Sequence, residues 1–149
     1  MKIIIIGATS AIARSTARLY AEQNSQIFLV GRDGRRLREL KADLELRGAN
    51  SIENLTLDIT NCNEHANVIN KSIQFLGHID IAIICHGSLP DQKKCESNFR
   101  EIEKAINING LTTISFCTEI SKQLELQKTG TLAVITSVAG DRGRQPNFI

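Results

Sequence analysis

The chain has 149 residues, of which 42% are hydrophobic and 23% charged, and its formal net charge is +2. These are ordinary values for a single globular domain, so they exclude a disordered chain and give no basis for nucleic acid or an anionic membrane as a partner. The apolar run of residues 3–6 is too short for a signal-peptide core or a membrane span.

A strand buried on both faces is predicted at the start of the chain. The β-branched run of residues 3–6 ends at Gly7, which permits a tight turn. Thr9 or Ser10 can cap the helix that follows. The buried face of that helix is predicted to hold Ala13, Ala17 and Tyr20.

A second strand at 26–32 and a third at 51–58 flank the next predicted helix. Asp33 can cap this helix, and Gly48 stands where a helix end favours a left-handed residue. Its apolar stripe consists of Leu37, Leu40 and Leu44.

A third helix is predicted after Asn61 and Glu64, which have the spacing of a capping box, and it ends at Gly77. Its apolar residues are Val68, Ile69, Ile73 and Leu76. A fourth strand at 79–87 follows it.

A long helical pattern extends from about Glu96 to Gln127, and a fifth strand is predicted at 131–138. The residues near one face of this helix are Ile102, Ile106, Thr113, Phe116, Ile120 and Leu124. Because parallel strands need right-handed crossovers, the alternation predicts one doubly wound α/β domain over 1–149, with strand order 3-2-1-4-5.

Polar residues at the ends of the first two strands suggest a dinucleotide site, since ligands bind beyond the carboxyl ends of such a sheet. The free amides after Gly7 could hold a pyrophosphate, although an ordinary strand-to-helix turn is an equal alternative. Arg32, at the end of the second strand, suits a 2′-phosphate and favours NADP over NAD. A solvated arginine is the alternative there.

The remaining three strand ends carry four further candidates. Asp58 could accept a hydrogen bond from an adenine amino group, or act as a turn aspartate. Gly87 allows a cofactor to approach the backbone closely. No carboxylate near His86 in the sequence could orient its imidazole, so we expect His86 to contact the cofactor or to pack in the core, and not to act in catalysis. Ser137 could polarise a substrate carbonyl, or be a turn residue.

Five segments in register, GATSAIA, LD at 57–58, CHG, INING and ITSVAG, resemble motifs of the short-chain dehydrogenase/reductase family. The resemblance covers the whole chain and implies a Rossmann fold, a nicotinamide cofactor and hydride transfer to or from a carbonyl or alcohol. It implies catalytic roles for Asn107 and Ser137. The cofactor-binding residues that it implies are Gly7, Thr9, Ser10, Ala11, Ile12, Arg32, Asp58, Ile59, His86 and Gly87.

The chain departs from the family pattern at several points. Ala11 and Ala13 replace two loop glycines, and only the glycine of the family's N-A-G turn is present. The family tyrosine, followed four residues later by a lysine, would fall directly after Ile149, and the single tyrosine, Tyr20, lies in the first predicted helix. We therefore interpret the chain as the cofactor-binding part of a reductase, with a non-catalytic NADP-binding module or a truncated-gene remnant as alternatives.

The expected partner is a small carbonyl or alcohol substrate, and no metal site is predicted. The cysteines form no CxxC pair and have no histidine at metal-ligand spacing, which favours a reduced, cytoplasmic protein. The stretch SVAGDRGRQPNF resembles family members that reduce keto-sugars on lipid carriers. The resemblance also implies a homo-oligomer through the long helix near 96–127.

Overall fold

The computed structural model describes residues 1–142. Its five strands are β1 (Lys2–Ile6), β2 (Gln26–Gly31), β3 (Ser51–Thr56), β4 (Ile81–Ile84) and β5 (Thr131–Val134). Its α-helices are α1 (Ala11–Ala21), α2 (Gly34–Leu46), α3 (His65–Leu76), α4 (Gln92–Ser97), α5 (Phe99–Ile106) and α6 (Thr112–Gln127). A π-helix, Asn107–Leu111, joins α5 to α6, and 3₁₀ turns occupy Cys62–Glu64 and Val138–Gly140.

The strands form one parallel sheet in the order β3-β2-β1-β4-β5, which confirms the predicted topology. Alternate isoleucines of β1 point to opposite faces, and all four are fully buried. Ile3 and Ile5 pack beneath α1 and α2, whereas Ile4 and Ile6 pack beneath α3 and α6. The central strand therefore joins two apolar cores, as its unbroken β-branched run predicts.

The strands end two to four residues before the predicted ends of β3, β4 and β5. The chain leaves the hydrogen-bonded ladder and continues as loops at the carboxyl edge of the sheet. Asp58, His86 and Ser137 consequently lie in these loops, where their side chains are not committed to a sheet face.

The first two helices begin and end as expected. Ser10, rather than Thr9, caps α1 by accepting a hydrogen bond from the Ala13 amide at 3.2 Å. The Asp33 carboxylate accepts the amides of Arg35 and Arg36 at 3.0 and 3.1 Å. Gly48 follows α2 with a φ of +97°.

The predicted capping box at Asn61 and Glu64 is wrong. Asn61 makes no side-chain cap hydrogen bond, and the Glu64 carboxylate instead accepts the Asn67 side-chain amide at 2.9 Å. The 3₁₀ turn Cys62–Glu64 is inserted here, so α3 begins only at His65. The tighter turn changes the spacing that a capping box requires.

The single long helix predicted near 96–127 is divided. Asn98 ends α4 in an extended conformation and caps α5 by accepting the Arg100 amide at 3.0 Å. In the π-helix the Thr112 amide donates to the Asn107 carbonyl, five residues back. This wider turn shifts the helical register, so Ile106, predicted on the buried face, is 53% exposed.

Large apolar side chains remain exposed along this region. They are Phe99, Ile106, Leu111, Ile114 and Leu126. Self-association through the segment stays a prediction. The keto-sugar prediction rests on the stretch 137–148, whose second half, 143–148, lies outside the described residues.

Candidate functional site

A groove of about 280 Å³ lies at the carboxyl edge of the sheet. The ends of β1, β2, β3 and β4 all contribute to it. Eight of the ten residues predicted to bind a cofactor line it, namely Gly7, Thr9, Ser10, Arg32, Asp58, Ile59, His86 and Gly87. Ala11 and Ile12 are not among its lining residues, and both are exposed at the start of α1.

Gly7 has a φ of +78° and packs directly on the end of β4. A Cβ at this position would lie 2.5 Å from the His86 backbone nitrogen and 2.7 Å from its Cα. The amides of Gly7 and Ala8 both donate to the Val30 carbonyl at 2.9 Å. The close contact with backbone of the neighbouring strand end thus requires glycine at position 7, whether or not a ligand binds there.

Free amides lie at the start of α1. Within the described part of the chain, the N–H groups of Thr9, Ala11 and Ile12 donate no hydrogen bond. The first turn of a helix leaves such donors without intrahelical partners, and the helix dipole adds positive potential. Because these free amides lie beside the groove, they could donate hydrogen bonds to a pyrophosphate bound there.

Two guanidinium groups line the groove next to β2. Arg32 follows the strand, and Arg36 lies in the first turn of α2, with its Nη2 atom 3.5 Å from the Thr9 carbonyl. Arg32 was identified in the sequence analysis, but Arg36 was not. The sequence does contain a signal for Arg36, because it stands three residues after the capping Asp33. At that position in the first helical turn, the arginine side chain lies on the side of α2 that faces the strand ends.

Asp58 is held in its own turn. One carboxylate oxygen, Oδ1, accepts both the Thr60 amide at 3.0 Å and the Thr60 hydroxyl at 2.8 Å. These bonds, and more weakly the charge of Arg32, keep the pKa of Asp58 below its usual value. Oδ2 accepts no hydrogen bond from the described residues, so it can accept one from a ligand.

His86 is largely buried at the end of β4. Its Nε2 atom lies 2.9 Å from Thr112 Oγ1 and 3.2 Å from Thr113 Oγ1, while its Nδ1 atom is buried without a partner in the described residues. Burial, together with the charge of His65, lowers the pKa of His86 to about 4. The imidazole is therefore neutral at pH 7.

A second groove, of about 500 Å³, adjoins the first. Cys85, His86, Gly87 and Ser88 line both grooves and form a shared wall. A Cβ at Gly87 would meet only Asn109 Oδ1, at 3.6 Å, so the protein itself does not require glycine at this position. Because Gly87 has no side chain, a ligand could approach the backbone closely at this position.

Ser137 is exposed and lines the second groove. Its Oγ atom accepts the Ala139 amide at 3.2 Å, which leaves the hydroxyl proton to donate to a ligand oxygen. Nearby, burial raises the pKa of the Cys85 thiol to about 11, so this sulfur is not a nucleophile at neutral pH.

The structure does not bring Asn107 to either groove. Asn107 starts the π-helix and is absent from the described lining residues. Asn109 lines the second groove instead, accepting the Ser88 amide at 2.8 Å and donating to the Ser88 carbonyl at 2.9 Å. Sequence reasoning missed Asn109 because a regular helical period does not reveal the π-helix.

A groove across the ends of four parallel strands, with free amides at one helix start, defines a Rossmann-like domain. No helix in residues 1–142 combines the length and apolarity needed to cross a membrane. The chain belongs to the short chain dehydrogenase family, whose model matches residues 1–148.

Individual relatives are distant in sequence and close in fold. An uncharacterized oxidoreductase of Mycobacterium tuberculosis is 24% identical over 147 residues, which are 99% of this chain and 59% of that protein. NAD⁺-bound xylitol dehydrogenase is 20% identical with a TM-score of 0.89, covering 97% of this chain and 55% of that chain. A variant of actinorhodin polyketide ketoreductase with NADPH is 19% identical with a TM-score of 0.88, covering 98% and 57%. The chain thus spans less than two thirds of the relatives it matches.

Proposed function

We propose that this chain is the cofactor-binding part of an NAD(P)-dependent short-chain oxidoreductase that acts on small carbonyl or alcohol substrates. The groove lined by residues from four strand ends is the observation that carries the proposal. The start of α1 would hold the pyrophosphate, Asp58 the adenine, and the shared wall at His86 and Gly87 the nicotinamide end. The bound cofactor would supply or accept the hydride.

Ser137 would act on the substrate in the second groove. Its hydroxyl proton can donate to a carbonyl oxygen and stabilise the charge that develops there as the carbonyl is reduced. The active-site role of Asn107 stays a prediction of the family resemblance, since Asn107 lines neither groove, whereas Asn109 of the same π-helix lines the second groove.

We propose NADP(H) as the preferred cofactor because Arg32 and Arg36 line the groove on the same side. Two guanidinium groups can each donate charge-assisted hydrogen bonds to a 2′-phosphate. NADH lacks that phosphate and gains nothing from either side chain.

Replacing Arg32 or Arg36 by alanine is expected to weaken NADPH binding by about 10- to 100-fold, the size of one lost charge-assisted hydrogen bond. NADH affinity should change little. Titrations of each variant with both cofactors, monitored by nicotinamide fluorescence, measure the two constants. Arg100→Ala is the matched control, because Arg100 lines neither groove. Equal losses for NADPH and NADH would contradict the proposed preference.

Binding without catalysis is the second candidate for this chain, and the position of Tyr20 favours it. This single tyrosine lies in the last turns of α1, at the opposite edge of the sheet from Ser137, so it cannot serve as the proton donor. Loss of general acid catalysis costs about 10² to 10⁴ in rate.

We therefore expect the 149-residue chain to bind NADPH without oxidising it when a small ketone is added, as followed by absorbance of the reduced nicotinamide. Measurable turnover would exclude the non-catalytic candidate. Absence of binding at millimolar NADPH and NADH would overturn the proposed function as a whole. A sharp, reversible melting transition would argue against a truncated-gene remnant.

A further inference from the structure

The imidazole of His86 links the end of β4 to the first turn of α6. Its Nε2 atom faces two hydroxyl oxygens, Thr112 Oγ1 and Thr113 Oγ1. Each hydroxyl also lies close to a carbonyl of the π-helix, at 2.7 Å from Ile108 and 3.0 Å from Asn109. The contact therefore extends from the strand end, through two side chains, to the backbone of the π-helix.

The donors and acceptors of this contact can be assigned. A threonine hydroxyl has one proton, and without that proton an oxygen 2.7 Å from a carbonyl oxygen would place two lone pairs against each other. The hydroxyl protons of Thr112 and Thr113 thus point to the carbonyls. The two hydroxyl oxygens can then only accept a hydrogen bond from His86, so the imidazole proton lies on Nε2. The other ring nitrogen, Nδ1, is therefore unprotonated.

From this arrangement we infer that His86, in the Nε2–H form, is a positioning residue that fixes the π-helix behind the nicotinamide end of the groove. The inference rests on the proposed function for its effect on cofactor binding. The π-helix carries Asn109, whose side chain is bonded twice to Ser88 in the shared wall. His86 and Asn109 thereby hold the same two segments together at two points.

The effect should be confined to one end of the groove. Arg32 follows β2 and His86 follows β4, with β1 between them, so the two residues are separated by two strand spacings, roughly 10 Å. Loosening the π-helix should therefore weaken binding of the nicotinamide half and leave binding of the adenosine half unchanged.

Two variants distinguish the Nε2 donor from a general need for a side chain. In His86→Gln the amide nitrogen reaches about as far as histidine Nε2, whereas in His86→Asn it reaches only as far as Nδ1. The full chain carrying either variant is compared with wild type and with His78→Asn, since His78 lies beside Asp80 at the opposite edge of the sheet. The probes are NADPH and adenosine 2′,5′-bisphosphate, which lacks the nicotinamide half.

We expect His86→Asn to raise the Kd for NADPH about tenfold, the size of one lost hydrogen bond, and His86→Gln to restore most of the affinity. The Kd for adenosine 2′,5′-bisphosphate should stay at the wild-type value in both variants. Equal losses in the two variants, or parallel losses for both ligands, would overturn the inference.

Nitrogen NMR tests the same inference without any cofactor. The ¹⁵N shifts of wild-type His86 should show the proton on Nε2. Both variants lose the ring current of the imidazole, so the amide resonances of Asn107–Leu111 should move in both, but further in His86→Asn than in His86→Gln. A proton on Nδ1, or equal shifts of the π-helix resonances in the two variants, would refute the positioning role. If wild type binds neither ligand, the proposed preference for NADP(H) fails, and the proposed function fails as well if NADH is also not bound. In either case these spectra still decide the role of His86.

Discussion

Replacing Gly7 by alanine is expected to lower the free energy of unfolding by about 2–5 kcal/mol. A left-handed backbone costs an L-residue about 1–2 kcal/mol, and forcing extra volume into a packed site costs about 1–3 kcal/mol. Both costs apply, since Gly7 has a φ of +78° and a Cβ there would lie 2.5 Å from backbone of His86. The contacts are with backbone atoms that directly follow the central strands β1 and β4, so no side-chain rotation can relieve them. Urea unfolding measures the change.

Gly48→Ala provides the matched control for this substitution. Gly48 also has a positive φ, +97°, but the nearest atom to a Cβ there is the Ala21 carbonyl oxygen, at 3.9 Å. This variant therefore carries the backbone cost of about 1–2 kcal/mol without the collision. If Gly7→Ala loses no more stability than Gly48→Ala, the contact with β4 is not what constrains position 7.

Acidification from pH 7 to pH 4.5 is expected to lower the free energy of unfolding by about 2–3 kcal/mol through His86 alone. Burial lowers the pKa of His86 from 6.5 to about 4 in the folded chain. Between these values the unfolded chain binds a proton that the folded chain does not. The stabilisation is thus complete above pH 6.5 and is lost as the pH falls toward 4. His65, whose pKa burial also lowers, acts in the same direction.

The variant His86→Gln isolates this effect, because glutamine does not titrate. Its stability should fall less than that of wild type over the same range, as measured by urea unfolding at several pH values. The carboxylates with lowered pKa values, Asp43 and Asp58, lose their contribution only below about pH 4, which separates their effect from that of the histidines. Parallel curves for the two proteins would contradict the assigned burial of His86.

The sheet and the two ends of α2 could be predicted because their signals are local. The isoleucine run of β1 indicates a strand that is buried on both faces. Asp33 and Gly48 indicate where α2 begins and ends. Right-handed crossovers then leave few topologies for five parallel strands, so the strand order follows. The predicted groove residues also share an edge, since the carboxyl ends of parallel strands meet there.

The errors arise where geometry departs from a regular period. The π-helix inserts one residue into a turn, which exposes Ile106 and places Asn109 on the lining of the second groove. His65 was also missed. It is fully buried, stacks on Phe116 with ring centroids 3.6 Å apart, and bonds Ser115 and the Ile59 carbonyl at 2.8 Å. Two of these partners, Ser115 and Phe116, are distant from His65 in sequence, so no local pattern predicts the contacts with them.

Because Cys85, His86, Gly87 and Ser88 form a wall that the two grooves share, ligands bound in both grooves would contact the same four residues. A ligand that shifts this wall in one groove changes the shape of the other, and the resulting change in affinity must be the same factor in both directions. Saturation with cofactor and saturation with substrate should therefore report one coupling constant, whichever ligand is added first.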